Sequence, residues 1–299
     1  MSAKRFDTVS SWTWMDGQVI ETSKATIGVV DRGFLYGDSV FETFRTVAGQ
    51  ALFLSDHLDR FRKGAKLFHI ELTHDDRFLQ DVIHEVISRI PEGRDSVVRM
   101  TLTRGDRVAG QIGISGCHSR LLVTSTESNF NNDQAGCGID LIVADRRKIP
   151  PQCLDPGVKN GNYLGSILAR NEAQEAGADD AVLLSPDGVV TEATSANVFW
   201  ARDQIVYTCS EDLILAGITR SKVLDLLRRA GVSVEEGHFD GGHLLAAEEI
   251  FLTGSIQGVQ PVATIDGRAL SSCASGSLTG QCIEDYQGLV AAARTRSTR

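Results

Sequence analysis

Lys159–Trp200 reads KNGNYLGSILARNEAQEAGADDAVLLSPDGVVTEATSANVFW. Its lysine stands between Gly157 and Gly161, in a segment expected to be extended and closely approached by other backbone. A helix is predicted from about Tyr163 to Ala176. Ala181–Leu184 and Val189–Glu192 then flank Ser185-Pro186-Asp187-Gly188, whose residues suit a hairpin turn. Val198–Ala201 follows as a further strand. A helix set among short strands predicts an α/β fold.

Upstream, Asp16-Gly17 breaks two strand-like pieces. Ser39–Val47 is predicted as a strand, turned at Gly49-Gln50 into another over Ala51–Leu54. Ser55 is the expected N-cap of a helix through HLDRFRKGAKLF. Phe78, Leu79, Val82, Ile83, Val86, Ile87 and Ile90 repeat at three and four and mark a second helix. Strands are expected near Ser96–Thr103 and Arg120–Ser125. The Asn-rich, aperiodic stretch TESNFNNDQAG reads as a linker. The expected organisation is a small N-terminal α/β domain over 1–125, a linker over 126–136, and a larger strand-rich C-terminal domain over 137–299. Downstream, Ile205–Thr208, Val232–Glu235, Glu249–Thr253 and Val262–Ile265 are predicted strands, and a helix runs from Thr219 to Gly231. The terminal AAARTRSTR is expected to fray.

The formal charge of −9 over 299 residues argues against nucleic-acid binding, which calls for a basic face. Six scattered cysteines form no CxxC pair, and the N-terminus carries no apolar signal-peptide core. No apolar run approaches the roughly 20 residues that span a bilayer. The expectation is a cytoplasmic protein with reduced thiols and no membrane partner. The histidines show no HxH or HExxH grouping, so no metal site is expected. There is no GxSxG, and GDRVAG (Gly105–Gly110) lacks the middle glycine of a dinucleotide fingerprint; its expected use is as a loop over the site. Asp179-Asp180 and Glu248-Glu249 read as solvated strand entrances.

Four pieces of the second half can carry chemistry, each with a plainer alternative. Lys159 is a potential amine nucleophile or a solvated loop lysine. Glu192 closes an apolar strand and points either inward or outward. Gly217–Arg220 (GITR) sets a glycine and a threonine at a helix mouth, suited to a phosphate or to an ordinary cap. Thr253–Gly258 (TGSIQG) is a second cluster of small hydroxyl residues and free amides, or a simple turn. One cofactor, pyridoxal 5'-phosphate, would use all four: a lysine amine, an anion beside its ring nitrogen, and donors for its phosphate.

The order DRGFLYGDSVFETFR, DHLDR, VRMTLTRG, KNGNYLGSILARNEA, GVVTEATSANVFW, LAGITR, FLTGSIQGVQPV resembles the fold-type-IV, or class IV, aminotransferase family over residues 14–268. The resemblance implies a two-domain enzyme with the cofactor between the domains, and a homodimer whose loops close each other's sites. It implies that Lys159 binds pyridoxal 5'-phosphate covalently and shuttles a proton. Glu192 then partners the ring nitrogen and Tyr163 the phenolic oxygen. Arg60, Ile218, Thr219 and Ser255 bind the phosphate. Backbone amides near Ser255 and Ile256 receive the substrate carboxylate. Tyr36 and Phe41 line the side-chain pocket, and Arg99 lies near the substrate. Arg99 and Arg104 are each able to bind a second carboxylate, or to pair with an acid at a strand edge.

The implied reaction is ping-pong transfer of an amino group between an amino acid and a 2-oxo acid such as 2-oxoglutarate. NYLGSILARNEAQEAGADDAVLLSPDG resembles branched-chain L-amino-acid members, whereas VFETFRT and Gln257 depart from them, the former toward D-amino-acid and lyase members. The alternatives are an aminodeoxychorismate lyase releasing pyruvate and 4-aminobenzoate, and a cofactor-binding protein without turnover.

Overall fold

The computed structural model describes residues 9–106, 112–128 and 138–296. The described residues up to 128, with Val158–Asn162, make one compact unit; residues 138–157 and 163–292 make the other. Among the described residues no helix is long and apolar enough to cross a membrane.

In the first unit β1 (Ser11–Met15), β2 (Gln18–Glu21), β3 (Ser39–Val47), β4 (Gln50–Ala51), β5 (Asp95–Asp106) and β6 (His118–Ser128) form an antiparallel sheet in the order β2-β1-β6-β5-β3-β4. Two helices, α2 (Leu54–Leu67) and α3 (Asp76–Ile87), cover one face. Period-two alternation on the strands sends Val40, Phe44, Val98, Met100, Leu102 and Val123 to that face. There they meet Leu58 and Phe61 of α2 and Leu79, Val82, Ile83 and Val86 of α3 in one buried cluster. Losing a ring such as Phe44 or Phe61 from this layer costs about 3–5 kcal/mol. A short helix, α1 (Arg32–Tyr36), precedes β3.

The second unit is built on β7 (Ile139–Arg147), β8 (Asp180–Leu184), β9 (Val190–Ala193), β10 (Asn197–Arg202), β13 (Glu249–Gly254) and β14 (Gly258–Ile265). These six pair successively as β10-β13-β14-β7-β8-β9, and β9 pairs back onto β10 through Glu192 and Asn197, so the sheet closes on itself as a barrel. On the same edge of β10, Phe199–Arg202 pair instead with β11 (Ile205–Cys209), which pairs in parallel with β12 (Ser233–Gly237). Alternation again sorts the side chains. Val182 and Leu184 join the barrel core with Val198, Trp200, Ile250, Leu252 and Val262. Ala181 and Leu183 face outward onto Ala169 and Ala173 of α4 (Leu164–Glu175). The helix α5 (Ile218–Arg229) lies against β12 and β13. The chain continues through α6 (Gly241–Leu245), β15 (Arg268–Ala269) and α7 (Leu278–Arg296).

Several local expectations are corrected. Leu54, expected to end a strand, starts α2, and Phe53 in a left-handed conformation (φ 54°), not Ser55, occupies its cap with no side-chain bond. Residues 126–128, expected in the linker, continue β6 because its pairing with β5 runs to Asp95 opposite Ser128; residues 129–136 lie outside the described residues, as do 107–110 of the Gly105–Gly110 loop. Val158–Asn162, expected in the C-terminal domain, belongs to the first unit. The basic C-terminal stretch is helical to Arg296. Asp180 is buried rather than solvated and binds Thr194 Oγ1 and Arg170, each at 2.6 Å. Glu249 caps α7, accepting from the amides of Leu278 (3.1 Å) and Thr279 (2.8 Å).

Candidate active site

Lys159 sits on a short bridge between residues 159–161 and the start of β3. The Phe41 amide donates to the Lys159 carbonyl (2.9 Å), and the Gly161 amide to the Ser39 carbonyl (3.0 Å). This is the close backbone approach expected of the segment. A Cβ on Gly161 would lie 2.5 Å from Ser39 Oγ and 2.8 Å from the Gly37 carbonyl oxygen. Buried Asn160 fixes the following turn: its Nδ2 donates to the Val158 carbonyl and its Oδ1 accepts from the Asn162 amide, both at 2.9 Å. The half-buried Lys159 side chain carries its Nζ to 4.6 Å from the centre of the Phe41 ring. Arg99 on β5 brings its guanidinium carbon to 3.7 Å from the same centre. An aromatic face attracts such groups, and Phe41, Lys159 and Arg99 form one assembly.

Glu42, next to Phe41 on β3, points to the opposite, helix-covered face. It is fully buried against His57 and Arg60, which stand three residues apart on α2. His57 Nδ1 donates to Glu42 Oε2 (2.7 Å), while Arg60 donates Nε to Oε1 (2.7 Å) and Nη2 to Oε2 (2.8 Å). Burial opposes charge on Glu42, but the Arg60 guanidinium and the His57 ring outweigh it and hold the carboxyl at about 2. Burial pulls His57 below its ordinary value, although Glu42 works against that shift. Arg60 therefore commits two of its nitrogens to an acid that sequence reasoning did not pair with it.

Tyr36 ends α1 and is 47% exposed, with the Arg32 guanidinium 5.3 Å from its ring centre. The segment carrying it is fastened at both ends. Asp31 accepts from the Gly33 amide (2.7 Å) and Thr103 Oγ1 (2.8 Å). Asp38 accepts from Arg32 Nε (2.8 Å) and, in bidentate fashion, from Arg104 Nε (2.8 Å) and Nη2 (2.9 Å). Burial raises the Asp38 carboxyl, but bonds from Arg104 and Arg32 hold it below its ordinary value. Arg104 also donates to the carbonyls of Phe68 and His69. Of the two arginines considered for a second carboxylate, Arg104 is thus the acid-paired strand residue.

In the second unit Glu192, Asn197 and Thr253 stand opposite one another across β9, β10 and β13. Directly opposed residues share a face, so these three form a row. Glu192 is 8% exposed, so it is buried, although the row alternates with Val198 and Leu252 and therefore lies on the face away from the barrel core. Its Oε1 accepts from Lys148 Nζ (2.6 Å), and its Oε2 accepts from Asn197 Nδ2 and the Leu215 amide, both at 3.1 Å. Asn197 Nδ2 also donates to the Leu215 carbonyl (2.9 Å), which ties the segment entering α5 to the row. Gly217 is the N-cap of α5, where a Cβ would fall 2.0 Å from Asn197 Oδ1. No side chain caps that helix end. The hydroxyls of Thr219, at its second residue, and Thr253 are both buried with no hydrogen-bond partner. Ser255 and Ile256 lie half-buried in the turn between β13 and β14, with exposed Gln257 beside them. Tyr163 is half-buried at the N-cap of α4.

Unsatisfied buried donors are costly, and a phosphate accepts from hydroxyls and from helix-end amides alike. Thr219, Thr253 and the first amides of α5 fit such a group. A buried carboxylate such as Glu192 suits the protonated nitrogen of a pyridine ring. The donor set therefore fits pyridoxal 5'-phosphate. Sequence reasoning missed Lys148, Asn197 and Thr253. Asn197 and Thr253 lay inside motifs already singled out, and strand register alone brings them into one row with Glu192. Lys148 carries no local signal, being 44 residues from its partner.

The Amino-transferase class IV family profile matches residues 39–265. A putative branched-chain-amino-acid aminotransferase of Methanocaldococcus jannaschii is 32% identical over 92% of this chain and 95% of that protein. The D-alanine aminotransferase of Bacillus licheniformis is also 32% identical, over 88% of this chain and 92% of its own. The crystal structure of the T.th. branched-chain amino acid aminotransferase complexed with N-(5'-phosphopyridoxyl)-L-glutamate superposes with a TM-score of 0.85 at 29% identity, covering 93% of each chain. A profile spanning most of the chain, a shared fold and a donor set matched to one cofactor agree: the chain belongs to the class IV aminotransferase family and is a pyridoxal-phosphate-dependent transaminase.

Proposed function

We propose that this enzyme moves the amino group of a branched-chain L-amino acid to 2-oxoglutarate by a ping-pong route, with Lys159 as the catalytic residue. The row Glu192–Asn197–Thr253, with the unpartnered Thr219 and Thr253 hydroxyls, carries the reading. Pyridoxal phosphate supplies an aldehyde for covalent attachment and a ring that withdraws electrons from the substrate α-carbon. Lys159 holds the cofactor and, once displaced by the donor amine, takes the α-proton and returns it on the other side of the exchange. Glu192 keeps the ring nitrogen protonated, and Tyr163 donates to the phenolic oxygen. Thr219, the amides of Ile218 and Thr219, and Ser255 hold the phosphate, with Arg60 adding positive charge from within its pair with Glu42. The Ser255 and Ile256 amides receive the α-carboxylate. Phe41 and Tyr36 line the side-chain pocket. Arg99, whose guanidinium lies over the Phe41 ring, receives the second carboxylate of glutamate or 2-oxoglutarate.

D-Amino acids are the competing substrate class, since the D-alanine aminotransferase relative is as similar as the putative branched-chain one. Separate additions of L-leucine, D-alanine and L-glutamate to the purified enzyme, followed by absorbance, decide it. L-Leucine and L-glutamate are expected to convert the cofactor band, and conversion by D-alanine alone would reverse the assignment. Release of pyruvate from aminodeoxychorismate without an oxo acid would instead establish the lyase. Borohydride reduction and peptide mapping are expected to find the cofactor on Lys159, and Lys159→Ala to lose turnover; substantial residual transamination by that variant would sink the mechanism. A homodimer in the cytoplasm completes the proposal, supported by exposed apolar side chains on the first unit (Val29 74%, Phe34 71%) and by the free state of the described cysteines.

A further inference from the structure

We propose that Lys148 is a positioning residue for Glu192 and, through it, for the cofactor ring nitrogen; the inference rests on the cofactor assignment above. Lys148 directly follows β7, and its amide donates to the Leu184 carbonyl of β8 (2.8 Å), which fixes where its side chain starts. Its Nζ reaches Glu192 Oε1 at 2.6 Å, with side-chain exposures of 22% for the lysine and 10% for the glutamate. Asn197 Nδ2 and the Leu215 amide both hold the other oxygen. A carboxylate held at one oxygen can still turn about its terminal bond, whereas one held at both oxygens is fixed in plane. An ionised carboxylate offers about four lone-pair sites. Three donors occupy this one, which leaves a single direction for a further donor. Lys148 thus sets where a ring N–H must arrive. It also sets what that N–H meets: a carboxylate shared with an ammonium rather than a bare anion.

A purely structural role would tie the end of β7 to β9 without reaching the cofactor. The two are separated by the affinity of apoenzyme for pyridoxal 5'-phosphate, read by fluorescence quenching, in a double-mutant cycle of K148M and E192Q with K148R and K148Q alongside. K148M is expected to weaken binding about tenfold and to alter the holoenzyme absorbance band, K148R to restore most of the affinity, and K148M to add less than about twofold once E192Q is present. Unchanged affinity in K148M, a lowered melting temperature alone, or fully additive penalties in the cycle would each overturn the proposal. K148Q, which keeps a donor of shorter reach, provides the same reading should K148M fail to fold. Failure of the wild-type protein to take up the cofactor on Lys159 would be a separate result, against the cofactor assignment itself.

Discussion

His57 is a histidine whose burial disfavours its charged form, and it shares a carboxylate with a permanent cation. Its folded-state pKa lies below the ordinary value of 6.5, so in acid the unfolded chain binds the proton first and stability falls as pH drops through 6.5. Glu42 acts in the same direction over a lower window, from 4.5 down to about 2, where its contribution is lost on protonation. Urea unfolding across pH 8 to 5 is therefore expected to show a decline below 6.5 that His57→Gln flattens. One proton accounts for at most about 1.4 kcal/mol per pH unit. An unchanged slope in the variant would place the sensitivity elsewhere. The sequence draws attention to a residue where its chemistry is unusual for its place, as with a lysine between glycines, and the structure bears out the close backbone approach expected there. The pairings of Glu42, Lys148 and Asn197 were not legible, because ordinary-looking polar residues acquire such partners only through strand register and helix placement.

At the scale of elements, two glycines hold the site segments where they are. Gly161→Ala would press a methyl against Ser39 and the Gly37 carbonyl and lift Lys159 off β3. The expected cost is about 1–3 kcal/mol of stability, together with slower turnover, measured by unfolding and steady-state rate. A fully active G161A would show that the bridge does not position the lysine. Gly217→Ala would displace Asn197, which holds both Glu192 and the entry to α5. Its affinity for pyridoxal 5'-phosphate is expected to fall about tenfold or more, equivalent to about 1.4 kcal/mol. Wild-type affinity in G217A would remove the α5 mouth from the phosphate site. The long periodic elements were legible: β3 has the bounds expected of it, and α3 follows its apolar stripe. The start of α2 was misread because Ser55 looks like a cap, whereas Phe53 makes the turn in a left-handed conformation that composition does not announce. The short helices α1 and α6 have too few residues to show a period.

For the whole molecule, Val29 and Phe34 test the proposed dimer. Both are largely exposed, so V29D/F34D is expected to leave the fold intact. Light scattering is expected to give a dimer for wild type and a monomer for the variant; a wild-type monomer would refute the dimer. The α/β class and the order of motifs were legible from end to end, because each motif joins one element to the next. The closed barrel was not. Closure depends on which strand returns to which, and β9 meets β10 through the single pair Glu192–Asn197. A ring of strands comes apart most readily where its pairing is thinnest, and here that is one residue pair. Glu192 of that pair is also the acid assigned to the cofactor. Deuterium uptake along Val190–Ala193 therefore becomes a gauge of site integrity that needs neither substrate nor colour.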